Sequence, residues 1–206
     1  MSGLSVSRSE TSPSIAMIVE EVGADLPGYR EKTSPDGMLT VGFTDIERST
    51  EMMMEVGEGR WVDVMSTHNR IVRDCVRRKG GEVAGSRGDG FMVTFASASA
   101  ALDCAVELQQ MLSRYNATDL ERPLRVRIGL HTGNIFQLDD DFLGKAVVLA
   151  ARITGHAHGG EILVSADCRE YTHRVGRWRY GPVMELRLKG LAKVERVYPL
   201  EWAADR

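Results

Sequence analysis

Two aspartates stand where a carboxylate can do chemistry. Asp45 follows directly on the apolar run MLTVGFT, in FTDIERST, and Asp89 sits at the tip of a turn, in RGDGF. Carboxylates at a strand end and a hairpin tip are exposed while the scaffold holds them rigid. Two hard oxygen ligands from separate segments suit Mg²⁺ or Mn²⁺, whose remaining positions go to water and substrate phosphates. The plainer reading makes Asp45 a helix cap and Asp89 a turn residue, both common uses.

The elements that must position them follow from periodicity. MLTVGFT (38–44) is a continuous apolar run suited to a central strand. Trp61, Val64, Met65, His68, Ile71, Val72, Cys75 and Val76 recur at three- and four-residue steps, one apolar stripe on a helix that Gly80-Gly81 stops. GEVAGS and FMVTF, joined through RGDG, read as a β-hairpin. A second helix is predicted from about 97 to 112, a strand over 124–132, a helix from 144 to about 154 and a buried strand over 161–165. MELRL and RVYPL give two last strands. The pattern is α+β, a sheet covered by helices. Residues 1–36 are rich in Ser, Glu, Gly and Pro, and only 15–22 carry helical periodicity. They are predicted to form a flexible arm with one docked turn, and SPDG at 34–37 marks the start of a single domain over 37–206.

Composition narrows the function classes. The chain has 206 residues, 43% hydrophobic and 27% charged, with a net charge of -3. That balance offers no footprint for nucleic acid or an anionic membrane. No apolar run approaches the roughly 20 residues that span a bilayer. No secretory h-region opens the chain, so a cytoplasmic location is expected. Cys75, Cys104 and Cys168 have neither metal-site nor disulfide spacing and are expected as reduced thiols. His68 reads as a core histidine. His156 and His158 in GHAHGG resemble a metal pair only superficially.

The motifs in order carry a resemblance. FTDIERST, GDGFMVTF, VRIGLHTG, an Asp-rich loop leading to GKAVVLAARI, GGEILVS and LKGLAKVERVYPL together resemble the class III adenylyl and guanylyl cyclase catalytic domain over residues 38 to 201. The resemblance implies a ferredoxin-like core and a head-to-tail homodimer with active sites at the interface. The substrate would be a nucleoside triphosphate, cyclised to a 3′,5′-cyclic nucleotide and pyrophosphate with two divalent cations, Mg²⁺ or Mn²⁺. Asp45 and Asp89 match the metal aspartates. The backbone around Ile46, Glu47, Arg48 and Ser49 matches the phosphate cradle, with Arg48 where the family often has Gly. Arg152 matches the arginine that stabilises the α-phosphate in the transition state, Lys189 falls in the region of a phosphate-binding lysine, and Asp141 matches the base-reading aspartate. His131 lies in the structural GLHTG motif.

Two departures bear on substrate and rate. Gly85 stands where adenylyl cyclases carry a purine-reading lysine, and Val148 stands where the family has a ribose-contacting asparagine. A lost transition-state donor costs on the order of 10²–10³ in rate. Arg87, two residues on from Gly85, would share its face and begin about 6.6 Å closer to the metals. Such an arginine would crowd a purine and suit the O2 carbonyl of uracil or cytosine. In lacking the purine lysine the chain is similar to the bacterial pyrimidine cyclases of Pycsar anti-phage signalling. The reading is therefore a nucleotidyl cyclase leaning to UTP or CTP. The alternatives are an adenylate cyclase making cAMP, and a catalytically dead homology domain that binds nucleotide or a partner.

Overall fold

The computed structural model describes residues 12–22, 38–119, 123–134, 141–188 and 193–203. Helix α1 (Pro13–Val22) precedes strand β1 (Met38–Ile46). Then come α2 (Ser49–Val56), α3 (Glu58–Arg78), β2 (Glu82–Arg87), β3 (Gly90–Phe95), α4 (Ala98–Asp119) and β4 (Val126–Asn134). The chain continues through α5 (Asp141–His156), β5 (Ile162–Ser165), α6 (Ala166–Thr172), β6 (Met184–Arg187) and β7 (Val194–Pro199). The strands form one sheet in the order β2-β3-β1-β4-β5-β7-β6. Its β2-β3-β1-β4 part, joined as βαββαβ, is a ferredoxin-like core. Only β4 and β5 run parallel among these neighbours.

Strand alternation sorts β1 onto two faces. Leu39, Val41 and Phe43 join Met92 beneath α5, with Ala146, Val147, Ala150 and Ala151 packed over them. On the other face α3 and α4 cover Phe91, Val93, Phe95, Val126, Ile128 and Leu130. The α3 stripe buries Val64, His68, Ile71, Val72, Cys75 and Val76. A Schellman motif ends that helix. The Gly81 amide donates to the Val76 carbonyl at 2.9 Å and the Gly80 amide to the Arg77 carbonyl at 3.1 Å, with Gly80 at φ 69°.

Three expectations are revised. Strand β1 runs to Ile46, so Asp45 lies within the strand, opposite Arg127, and not beyond it. Helix α4 runs to Asp119 because the Asn116 amide group brackets Leu124, donating to its carbonyl at 2.9 Å and accepting from its amide at 2.8 Å. In the N-terminal segment the helix spans ten residues, starting on Ser12 as N-cap and Pro13 at the first position. It seats Ile15 and Ile18, both fully buried, against β2, β3 and α5. A ten-residue helix is marginal alone. Two buried isoleucines contribute about 1.5–3 kcal/mol each, against a backbone ordering cost of about 1–2 kcal/mol per residue. Helix α1 thus holds its shape only where it docks. The turn at 34–37 lies outside the described residues.

Candidate active site

Asp45 shares its face of the sheet with Leu39, Val41 and Phe43, at the end of β1, and is 1% exposed. Both of its oxygens are occupied. Ser12 Oγ donates to Oδ1 at 2.7 Å, while Arg127 Nε and Nη2 donate to Oδ2 at 2.9 and 2.6 Å. Register produces the arginine contact, because β1 and β4 pair Asp45 directly with Arg127. Burial raises the Asp45 pKa and the charge of Asp89 raises it further, while Arg127 and Ser12 pull it down. The second carboxylate, Asp89, lies in the β2–β3 turn and accepts from Ser14 Oγ at 2.6 Å. Two carboxylates thus repel each other in a water-poor corner, and among the described residues their donors are two hydroxyls and a guanidinium. Two carboxylates on one rigid corner fit a divalent cation, which would take the place of the donors they now hold. Among the described residues no cluster of three His, Cys, Asp or Glu exists.

Hairpin register places the base-reading candidates. Gly85 lies opposite Met92 and Arg87 opposite Gly90, so both face the α1 and α5 side. A bulge between Val83 and Gly85 shifts the pairing there. Ser86 pairs with Phe91 and turns to α3, where Arg73 Nη2 donates to its Oγ at 3.4 Å. It is not part of the site.

Of the four residues expected to cradle phosphate, Glu47 is already engaged elsewhere. The Glu47 amide donates to the Arg125 carbonyl at 2.9 Å, and the Glu47 carboxylate accepts from the Gly159 amide at 3.0 Å. Glu47 is therefore a structural tie, a correction to its place among the phosphate binders. Arg48 sits at φ 57°, in the left-handed region that favours glycine, and pairs with Glu51 at the surface. Ser49 opens α2 directly after the strand that carries Asp45 and Ile46.

The other half of the constellation is on α5. Val148 and Arg152 stand four residues apart on one side of the helix, both half-buried. Among the described residues the side chains that donate to Asp45 and Asp89 are Ser12, Ser14 and Arg127, and Arg152 of the same chain is not one of them. Asp141 opens α5, but its side chain lies outside the described residues, as does Lys189. His131 is buried, within 3.0 Å of Ser165 Oγ, as a structural residue would be. The three cysteines are buried free thiols. Burial pushes Cys75 up to about 11 and Cys168 up to about 12.

Sequence reasoning missed Ser12, Ser14 and Arg127. The Ser12-Pro13 start signal was legible for the helix, though nothing local tells where that helix docks. Arg127 was detectable only as a charge on an otherwise apolar strand.

Among the described residues no helix is long and apolar enough to cross a membrane. Residues 31–201 match the family described as the adenylate and guanylate cyclase catalytic domain. An adenylate cyclase of Mycosarcoma maydis is 33% identical over 80% of this chain, which spans 8% of that protein. An uncharacterised protein of Mycobacterium tuberculosis, Rv0891c, is 30% identical over 75% of this chain, which spans 50% of its length. Among solved structures, the adenylate/guanylate cyclase/hydrolase of Silicibacter pomeroyi superposes with a TM-score of 0.66 at 26% identity, over 79% of this chain and 95% of that one. The guanylate cyclase domain of RhGC from Catenaria anguillulae, in complex with GTP, gives 0.68 at 18% identity over 81% and 97%, a likeness of fold. The ferredoxin-like frame, the carboxylate pair on its β1–hairpin corner and these matches place the chain in the adenylate and guanylate cyclase catalytic domain family.

Proposed function

We propose that the chain cyclises a nucleoside triphosphate, the ribose 3′-oxygen attacking the α-phosphorus as pyrophosphate leaves. The carrying observation is the carboxylate pair, Asp45 on β1 and Asp89 in the hairpin turn, sharing one corner of the sheet, with a guanidinium and two hydroxyls donating to it among the described residues. Asp45 and Asp89 would hold two divalent cations, Mg²⁺ or Mn²⁺. Bound there, such ions lower the pKa of the 3′-hydroxyl and neutralise the triphosphate. Asp45 would then release Arg127, whose guanidinium is left beside the polyphosphate as a bidentate partner. Ile46 ends that strand and Ser49 opens α2, so the amides of Ile46, Arg48 and Ser49 would cradle the phosphates.

Transition-state charge on the α-phosphate needs a further cation, and Arg152 is the candidate. Because Asp45 and Asp89 do not meet Arg152 within one chain, the reading includes a head-to-tail homodimer in which the partner's Arg152 completes each site. Asp141 would read the base and Lys189 would bind phosphate across the same interface. Val148 offers the ribose no hydrogen bond, which predicts slow turnover.

For the base, Gly85 and Arg87 on the site face of the hairpin support a pyrimidine, UTP or CTP. A second reading, ATP, is supported by the relatives named adenylate cyclase. Purified protein incubated with ATP, GTP, CTP and UTP plus Mn²⁺, with products resolved by mass, tests both. Cyclic UMP or CMP supports the rewritten pocket, and cyclic AMP supports the second reading. No product from a confirmed dimer would make the chain a binding domain without turnover.

A further inference from the structure

Helix α1 does more than cover apolar surface. Its N-cap hydroxyl, Ser12 Oγ, accepts from the Ile15 amide at 3.3 Å and donates to Asp45 at 2.7 Å. Two residues on, Ser14 Oγ donates to Asp89 at 2.6 Å. One helix end therefore spans both carboxylates, with the positive pole of its dipole and two hydroxyl donors standing where positive charge belongs. The hairpin is shaped to admit it. A Cβ on Gly88 would come within 3.2 Å of Ser14 Oγ, and one on Gly90 within 3.1 Å of Ser14 Cβ. Ile15 and Ile18 seat the helix beside α5.

We propose that α1 is a displaceable plug: docked, it caps Asp45 and Asp89 and closes the site, and cations with triphosphate compete it away. The proposal rests on the reading of Asp45 and Asp89 as cation ligands. Capping both carboxylates and binding cations between them with phosphate oxygens are alternative uses of the same corner. A helix too short to persist alone, held by two isoleucines, is weak enough to be displaced. Apparent cation affinity is then lowered by the fraction of chains with α1 undocked.

The test uses the full chain and Mn²⁺ alone, with binding read from the electron paramagnetic resonance of the free ion. Ile15→Asp/Ile18→Asp should undock the helix and tighten Mn²⁺ binding by about tenfold or more. Ser12→Ala/Ser14→Ala, which spares the apolar seat, should tighten it by a smaller factor. In the wild type, saturating Mn²⁺ should speed hydrogen exchange at the α1 amides while the α3 amides stay protected. Equal Mn²⁺ affinity in wild type and both variants, with α1 protection unchanged by Mn²⁺, overturns the plug and leaves the cation site standing. Should the undocked variants bind no Mn²⁺, or bind it equally with Asp45→Asn added, the cation reading fails and the plug fails with it.

Discussion

Under α3 and α4 the sheet meets side chains that are almost all apolar. The polar exceptions are tied down or neutral: Gln109 Nε2 donates to the Val126 carbonyl at 2.8 Å, and His68 stacks edge-on against Phe91 at 5.7 Å. Under α1 and α5 the same sheet buries an acid pair beside Val41, Phe43 and Met92, with a half-buried arginine and two half-buried serines donating to it. The first face is closed by shape and hydrophobic burial, which no ligand can improve. The second adds to its apolar packing under α5 a corner closed by polar contacts that a ligand could replace. Stability and chemistry are thus divided between two sides of one sheet only a strand thick.

The sharpest way to break that division is to remove the charge from the second face. Asp45→Ala should reduce cyclase turnover by at least about 10³-fold while the far-ultraviolet circular dichroism stays that of the wild type. Activity that survives would remove Asp45 from the metal site. Packing on the second face can be attacked away from the acids. A Cβ on Gly129 would overlap the backbone of Thr154 on α5. Gly129→Ala should therefore cost about 3 kcal/mol in urea unfolding, at the upper end of overpacking penalties. A cost below about 0.5 kcal/mol would mean that α5 shifts freely on β4.

The first face has its own pH signature. Burial lowers the His68 pKa from 6.5 to about 4, and its Nε2 has no hydrogen-bond partner among the described residues. The unfolded chain then binds the proton more readily between these values. Stability is full above 6.5 and is lost as pH falls towards 4. The loss should reach about 2 kcal/mol between about pH 7 and about pH 5, and His68→Phe should flatten that part of the curve. A slope unchanged in the variant would assign it to other groups. The smallest effect concerns the turn between the faces. Arg48→Gly relieves a left-handed residue and should raise the urea midpoint by the equivalent of about 1 kcal/mol, less the loss of an exposed ion pair.

Much of this division was legible beforehand. The α3 stripe, the hairpin and the buried β1 run were readable because burial imposes a period on the sequence. Asp45 and Asp89 stood out because a charge at the end of such a run breaks the pattern. Gly85 and Arg87 could be assigned to one face by alternation alone, and the register supports that. Arg48 as a departure from glycine was visible too, though its physical content, a positive φ, was not. What stayed hidden shares one cause. Ser12 reaches Asp45 across 33 residues, Ser14 reaches Asp89 across 75 and Arg127 reaches Asp45 across 82. Those contacts depend on strand register and helix docking, and neither leaves a local trace. The length of α4 was underestimated for a similar reason, since Asn116 fixes its last turns through the backbone of Leu124.

The Glu47 tie has a mechanical side. Glu47 lies two residues past Asp45, and its carboxylate grips Gly159 in the loop just beyond the helix that carries Arg152. From the far side the Trp202 indole clamps the neighbouring Gly160 carbonyl at 2.7 Å. The strand that carries Asp45 and the helix that carries Arg152 are therefore tied together through Gly159 and Gly160. If two chains pair head to tail as proposed, this tie would couple the two sites, so that a tilt of the strand in one would be felt at the other.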